Sequence, residues 1–261
     1  MKRAVDAHES RGEIIPVALD QNDDSTVTDF VAQVNSSENN IDVLVNSAYG
    51  GLIAMTPHFG KPFWEKPISV FDGSMDVGVR SSYVMSALVA PSMIKKNGLI
   101  VQISSYGGFT YLFDVGYGVA HAAMDRLSFD IATELQEHNV RAVTLHPGGG
   151  QTEIISFPDG ETPEYVGRSI MALAEKADEN FLNQANCKTL FTAELANKFS
   201  FYEDSDTDGS LNSKRLEDLK SFKEMSEKQL GQYDVDAVLP NYTDTNNSGF
   251  ADLFPGAKKL T

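Results

Sequence analysis

The chain has 261 residues, and its 37 aspartates and glutamates outnumber 21 lysines and arginines to give a formal net charge of −16. Hydrophobic residues make up 41% of the chain, enough for a sizeable core, which excludes a protein that is disordered throughout. Because so acidic a chain repels phosphate backbones and anionic lipids, we expect no nucleic-acid partner and no membrane-surface role. The single cysteine, Cys187, excludes a disulfide framework and a thiolate zinc site.

The sequence contains no segment that would direct it to or through a membrane. A run of about 18 apolar residues is absent, so no membrane span is expected. The first thirteen residues lack the apolar stretch of a secretory signal. We therefore expect a cytoplasmic protein. The five histidines show no metal-ligand spacing, and we expect no bound metal.

Strand and helix patterns alternate along the first two thirds of the chain. Short apolar runs predict buried strands, and apolar residues at helical spacing predict helices. In chain order we predict a strand at Ile14–Leu19, a helix at Asp24–Asn35, a strand at Ile41–Val45, a loop at 50–69, a long helix at Val70–Lys95 weakened by Gly73 and Gly78, a strand at Leu99–Ile103, a helix at Tyr117–His138, a strand at Val140–Leu145 and a helix at Glu164–Ala174. Strands separated by helices indicate an α/β fold with a mainly parallel, doubly wound sheet.

The composition changes after about residue 200, where Asp, Asn, Ser, Lys and Glu dominate. One helix is predicted there, at Ser213–Leu230, and the last thirty residues are rich in turn formers. We therefore divide the chain into a domain at residues 1–200 and an acidic, loosely structured C-terminal extension at residues 201–261.

Two acidic stretches in this extension match part of a calcium-binding EF-hand loop. Residues 204–211 fit its first eight positions, and residues 244–249 fit its first six. Both lack the glutamate required at position twelve, where Arg215 and Pro255 stand instead. We therefore interpret the acidic residues as a solvated turn, with weak calcium binding as the alternative.

The residues from which chemistry can be expected follow predicted strands or open a predicted helix. They are, in chain order, Ser104-Ser105, Tyr117 to His121, and His146-Pro147-Gly148-Gly149-Gly150-Gln151-Thr152. In this order they resemble the short-chain dehydrogenase/reductase family. Asp20 and the run Asn46-Ser47-Ala48-Tyr49, each after a strand, add to the resemblance. Four further segments resemble the subgroup of dehydrogenase/reductase family member 1: residues 63–67, 77–80, 161–168 and 206–209.

The resemblance, which covers roughly residues 1–210, implies a Rossmann-like fold and an oxidoreductase that interconverts a carbonyl and an alcohol with NAD or NADP. Tyr117 would be the general acid/base, and Ser105 would hold the substrate oxygen, with Ser104 as the alternative. His121 and Asp76 stand where the family has its catalytic lysine and asparagine. The cofactor-binding residues that it implies are Asp20, Asn46, Ala48, Pro147, Gly148 and Thr152.

The chain also departs from the family pattern. The glycine-rich turn T-G-x-x-x-G-x-G, which lets backbone approach a pyrophosphate, is absent, and with it the first βαβ unit. We therefore expect weak dinucleotide binding, and we expect either a fragment of a longer enzyme or a degenerate relative. Histidine at position 121 and aspartate at position 76, in place of the family's lysine and asparagine, also favour a degenerate relative.

Two functional hypotheses follow. The first is an NAD(P)-dependent oxidoreductase acting on a small carbonyl or alcohol. The second is a catalytically impaired relative that acts as a binding or interaction module. The family commonly pairs through the helix that carries Tyr117, so Ala122, Ala123, Leu127 and Phe129 are expected in the core or in a homo-oligomer interface. Neither the substrate nor the choice between NAD and NADP follows from the sequence.

Overall fold

The computed structural model describes residues 13–36, 41–94, 96–154 and 156–230. Its centre is a parallel sheet of four strands, which lie side by side in chain order. They are β1 (Val43–Asn46), β2 (Leu99–Ile103), β3 (Arg141–His146) and β4 (Thr189–Phe191). The predicted α/β class with a parallel sheet is thus confirmed.

Helices connect the strands and cover both faces of the sheet. They are α1 (Asp24–Ser36), α2 (Gly51–Met55), α3 (Ser69–Ser74), α4 (Ser81–Met93), α5 (Val115–Leu135), α6 (Pro163–Met171), α7 (Glu179–Ala185), α8 (Thr192–Phe199) and α9 (Ser210–Leu230). None of the helices within the described ranges combines the length and apolar character that crossing a bilayer requires.

Alternate residues of the central strands divide the core into two layers. Leu99 and Val101 of β2 face a cluster with α6 and α8, while Ile100 faces a cluster with α1, α4 and α5. Every residue of β3 is buried, as expected for a parallel strand with helices on both sides. This arrangement brings the carboxyl ends of β1, β2 and β3 to one edge of the sheet.

The prediction of a strand at Ile14–Leu19 is wrong. This segment has no strand pairing, and Ile14, Ile15 and Val17 are exposed. A cavity of about 510 Å³, lined by Val17 and Leu19 on one side and by β1 on the other, separates it from the sheet. A strand needs a hydrogen-bonded neighbour, and no described residue pairs with the outer edge of β1.

Two further differences concern helix 70–95 and the loop before it. The predicted single helix is two helices, α3 and α4, because the backbone leaves helical geometry at Val77 and Gly78. The predicted loop at 50–69 contains α2 and two 3₁₀ turns. Strand β4 and helices α7 and α8 were not predicted. Helix α9 begins three residues before its predicted start.

The first acidic stretch organises the start of α9. The Asp206 carboxylate accepts hydrogen bonds from the backbone N–H groups of Leu211 and Asn212, at 3.1 and 3.0 Å. Asp208 accepts one from the Ser210 N–H, and Asp204 pairs with Arg168. These carboxylates therefore have protein partners. The second stretch lies outside the described residues, and the division at residue 200 stays a prediction.

Candidate active site

The helix that carries Tyr117 begins at a buried charged residue. Asp114 is the N-cap of α5, and its carboxylate accepts a hydrogen bond of 2.8 Å from the Tyr117 N–H. The other carboxylate oxygen pairs with the Lys66 ammonium at 2.8 Å, and the two side chains are 4% and 5% exposed. Lys66 comes from the loop between α2 and α3. A buried ion pair therefore joins that loop to the backbone of Tyr117.

The Tyr117 hydroxyl meets a serine at the carboxyl end of β2. Its Oη donates to Ser105 Oγ over 2.7 Å. Ser105 opens the 3₁₀ turn at 106–108, and its Oγ also accepts from the Gly107 N–H. A Cβ at Gly107 would lie 2.4 Å from the Tyr117 ring, so this close approach requires glycine. The alternative, Ser104, is buried and bonds the His121 carbonyl instead.

His121 is buried beside Tyr117 in an uncharged form. Its Nδ1 lies 2.7 Å from the Tyr117 carbonyl oxygen, which can only accept, so we assign the proton to Nδ1. The imidazole stacks on the Tyr117 ring with centroids 4.0 Å apart. Burial lowers the pKa of His121 to about 4, and burial raises the pKa of Tyr117 against the opposing Ser105 hydrogen bond. At neutral pH the pair is a neutral imidazole and a protonated phenol.

An aromatic row runs through the site. Tyr49 contacts both His121 and Tyr117, with ring centroids at 4.8 and 5.8 Å. On the other side Phe113 contacts Tyr117 at 4.9 Å and Phe59 at 5.9 Å. The sequence motifs predict no role for Tyr49 or Phe113. Tyr49 ends a segment that the resemblance had already picked out, and that was the available signal.

The predicted cofactor residues occupy different environments. Asn46, at the carboxyl end of β1, is buried, and its Nδ2 donates to Ser86 Oγ over 3.0 Å. Ala48 is half-buried, and Pro147 and Gly148 follow β3 directly at the same sheet edge. Asp20 and Thr152 are exposed, and the Asp20 carboxylate accepts from the Asn22 N–H at 2.9 Å.

Asp76 lies on the segment between α3 and α4, residues 75–80, which packs against α5. It is exposed, one residue before the kink at Val77. The hydrogen bonds and ring contacts described for Tyr117 are with five residues, and Asp76 is not one of them: Tyr49, Ser105, Phe113, Asp114 and His121.

The exposed side of α5 includes two residues expected in the core or in an interface between copies. Ala122 is exposed and Phe129 is 48% exposed. Neither belongs to the core, and pairing of two chains through α5 stays a prediction.

Comparison with known proteins agrees with this architecture. The family model described as short chain dehydrogenase matches residues 1–158. Dehydrogenase/reductase SDR family member 1 of Mus musculus is 36% identical over 228 residues, which cover 79% of this chain and 71% of the mouse protein. The protein of that name from Homo sapiens has the same identity and coverage.

Solved structures share the fold at lower identity. A metagenomic short-chain oxidoreductase in complex with NADP has a TM-score of 0.57 and 24% identity, covering 73% of this chain and 78% of that one. A 7α-hydroxysteroid dehydrogenase complexed with NADH and 7-oxo glycochenodeoxycholic acid has a TM-score of 0.56 and 23% identity, covering 66% and 70%. With the family match and the sequence identity above, they lead to one conclusion: the chain belongs to the short-chain dehydrogenase family of oxidoreductases.

Proposed function

We propose that this chain binds the oxygen of a small carbonyl compound or alcohol between Ser105 and Tyr117 and works as a carbonyl–alcohol oxidoreductase. The observation that carries the proposal is the 2.7 Å hydrogen bond between the two hydroxyl groups. Two hydroxyls at this distance can both reach one substrate oxygen, as general acid catalysis requires. The apolar ring of Phe113 contacts the phenol ring of Tyr117, and the ring of Phe59 in turn contacts that of Phe113.

The protonation states favour reduction over oxidation. Tyr117 keeps its proton at neutral pH because burial raises its pKa, and the neutral His121 provides no opposing positive charge. The phenol would therefore donate its proton to the oxygen of a carbonyl substrate while Ser105 holds that oxygen. A nicotinamide cofactor, when bound, supplies the hydride in this family's chemistry.

The described residues do not by themselves fit a whole dinucleotide. Asn46, Ala48 and the Pro147–Gly148 turn lie at the sheet edge where the nicotinamide end would sit. The described residues contain no T-G-x-x-x-G-x-G turn that could bind the pyrophosphate. Gly50 and Gly51 open the five-residue helix α2, and the Gly50 N–H donates to the Val77 carbonyl at 2.6 Å. His121, in the position of the family's lysine, has its Nδ1 bonded to backbone.

A direct assay of the full chain tests the proposal. A panel of ketones and aldehydes would be incubated with NADH or NADPH at pH 7, and loss of cofactor absorbance would be followed. Tyr117→Phe should lower the rate about 10²–10⁴-fold, the usual contribution of a positioned general acid. Tyr111→Phe is the matched control, because Tyr111 is 71% exposed and lies six residues before Tyr117. Equal rates for Tyr117→Phe and the parent would refute the proposal.

A non-catalytic binding module is the second candidate, and the state of His121 favours it. A buried imidazole with a pKa of about 4 cannot supply the positive charge of a lysine at neutral pH. The two candidates separate in one experiment. A module would show a rise in melting temperature with NADH, NADPH or a carbonyl ligand and no turnover, whereas the enzyme would show turnover that depends on Tyr117.

A further inference from the structure

We infer that Glu161 is a positioning residue that clamps the turn at residues 147–151, which follows β3 at the sheet edge where the neighbouring strand β2 leads into Ser105. The inference depends on the proposed function only in treating this turn as part of an active site. Two backbone hydrogen bonds join Glu161 to the turn, and its side chain packs against it. The Glu161 N–H donates to the Gly149 carbonyl at 2.7 Å, its carbonyl accepts from the Gln151 N–H at 2.8 Å, and its carboxylate lies against Gly148.

The fit between the carboxylate and the turn is close. A Cβ added to Gly148 would lie 2.9 Å from Glu161 Oε1, so glycine allows this contact. The Thr192 hydroxyl, at the start of α8, lies 2.7 and 2.8 Å from the two carboxylate oxygens. Glu161 is 3% exposed. A carboxylate that is buried so completely is costly unless it is hydrogen-bonded, and here the Thr192 hydroxyl meets both oxygens while Oε1 also faces Gly148 of the turn after β3.

Helix α9 fixes the residues immediately before Glu161. Arg215 Nη2 donates to the Gly160 carbonyl at 2.7 Å and to the Asp159 carbonyl at 3.1 Å, and it pairs with Glu203 at 2.9 Å. Lys214 pairs with the Asp159 carboxylate at 2.6 Å. The clamp therefore has a rigid support on the side away from the turn. Arg215 directs these hydrogen bonds to Glu203 and to backbone, and its charge still lowers the pKa of Glu161.

The charge on Glu161 provides a measurable signature of the clamp. Burial raises the pKa of Glu161 to about 7, while hydrogen bonds from Thr192 and Gly148 and the charge of Arg215 oppose the rise. The other ionisable groups facing it are Glu203, which raises the pKa further, Tyr165 from α6 and Tyr106 after β2. Protonation removes negative charge from the oxygen that faces Gly148. The attraction between this oxygen and the backbone of the turn weakens, and the turn loosens locally below neutral pH, although the fold as a whole is more stable with Glu161 protonated.

Nuclear magnetic resonance of the ¹⁵N-labelled full chain tests this without any need for turnover. The Gly148 amide shift should titrate with an inflection near pH 7 in the parent and lose that inflection in Glu161→Gln. Amide exchange at Gly148 and Gln151 should be at least about tenfold faster in Glu161→Gln at pH 8. Glu194→Gln is the matched control, since Glu194 is an exposed glutamate in α8, and it should leave both readouts unchanged.

Thr192→Val provides a second test in case Glu161→Gln does not fold. Removing the hydroxyl takes away a hydrogen bond that favours the charged carboxylate, so the Gly148 inflection should move to higher pH. An inflection that persists in Glu161→Gln, or one that does not move in Thr192→Val, would overturn the clamp. If Gly148 titrates as expected and the chain reduces no carbonyl, the clamp stands and the proposed function fails. If the chain is active, the pH–rate profile of the parent should show an inflection near pH 7 that is absent from the profile of Glu161→Gln.

Discussion

The ion pair beneath the start of α5 gives the sharpest test of how the site is held. Lys66 and Asp114 are 5% and 4% exposed and 2.8 Å apart, and Asp114 also caps the helix at Tyr117. Lys66→Met keeps the apolar stem of the lysine and removes its charge. The Asp114 carboxylate would remain buried with no cation. We expect Lys66→Met to reduce the free energy of unfolding by about 3–5 kcal/mol, the usual cost of removing one partner of a buried pair.

A double-mutant cycle separates this pair from simple loss of packing. Urea unfolding would be measured for Lys66→Met, for Asp114→Asn and for the double variant. Asparagine keeps an oxygen that can cap α5, so the double variant leaves no buried charge and should be more stable than Lys66→Met alone. Arg126→Met is the control, because Arg126 and Asp130 form an exposed pair with 74% and 49% exposure, for which we expect a loss of about 0.5 kcal/mol or less.

Two results would refute the reasoning on the pair. One is a loss of less than about 1 kcal/mol in Lys66→Met, which would show that water replaces the ammonium at little cost. The other is strict additivity of the two single changes, which would show that the side chains do not interact in solution.

Two further changes test the surroundings of Tyr117 and Glu161. Gly107→Ala places a methyl group 2.4 Å from the Tyr117 ring, so the phenol must move; we expect carbonyl reduction to fall at least about tenfold, and an unchanged rate would contradict the contact. The pKa of Glu161, raised from 4.5 to about 7, means that the folded chain keeps a proton that the unfolded chain releases between these values. The free energy of unfolding should therefore fall as pH rises through this window, by up to about 3 kcal/mol, and Glu161→Gln should abolish that part of the fall in urea titrations at pH 4.5 and pH 8.

The parallel sheet could be predicted from the sequence because its central strands are apolar runs between helical patterns. Leu99–Ile103 has the predicted bounds, and β3 differs by one residue at each end. Ile14–Leu19 has the same local character and is not a strand. A strand depends on a neighbour for its hydrogen bonds, and the apolar run does not show whether a neighbour is present. Strand β4 has three residues, too few for its pattern to be recognised.

For the site, motif order identified Ser105 and Tyr117, and the structure brings these two together. The order of the motifs could not identify Lys66, Asp114 or Glu161, because each of these residues acts through partners far away in sequence. Lys66 and Asp114 are 48 residues apart, and Glu161 and Thr192 are 31 apart. Charged residues are normally exposed, so the sequence gives no sign that these side chains are buried. Their burial emerges only when loops and helices pack.

His121 shows how far a substitution can be interpreted without its surroundings. The sequence indicates the loss of a lysine, and free histidine would still be partly charged near neutral pH. The structure removes even that charge, because the imidazole is buried against two aromatic rings and its Nδ1 bonds the Tyr117 carbonyl. To act as a base, Tyr117 would have to lose its proton, and the resulting phenolate would need a nearby cation for stabilisation. To act as an acid, Tyr117 needs only its proton and a partner that accepts or relays that proton. Tyr117 and Ser105 meet the second requirement, so the preference for carbonyl reduction that we propose follows from the burial of His121 and not from its identity alone.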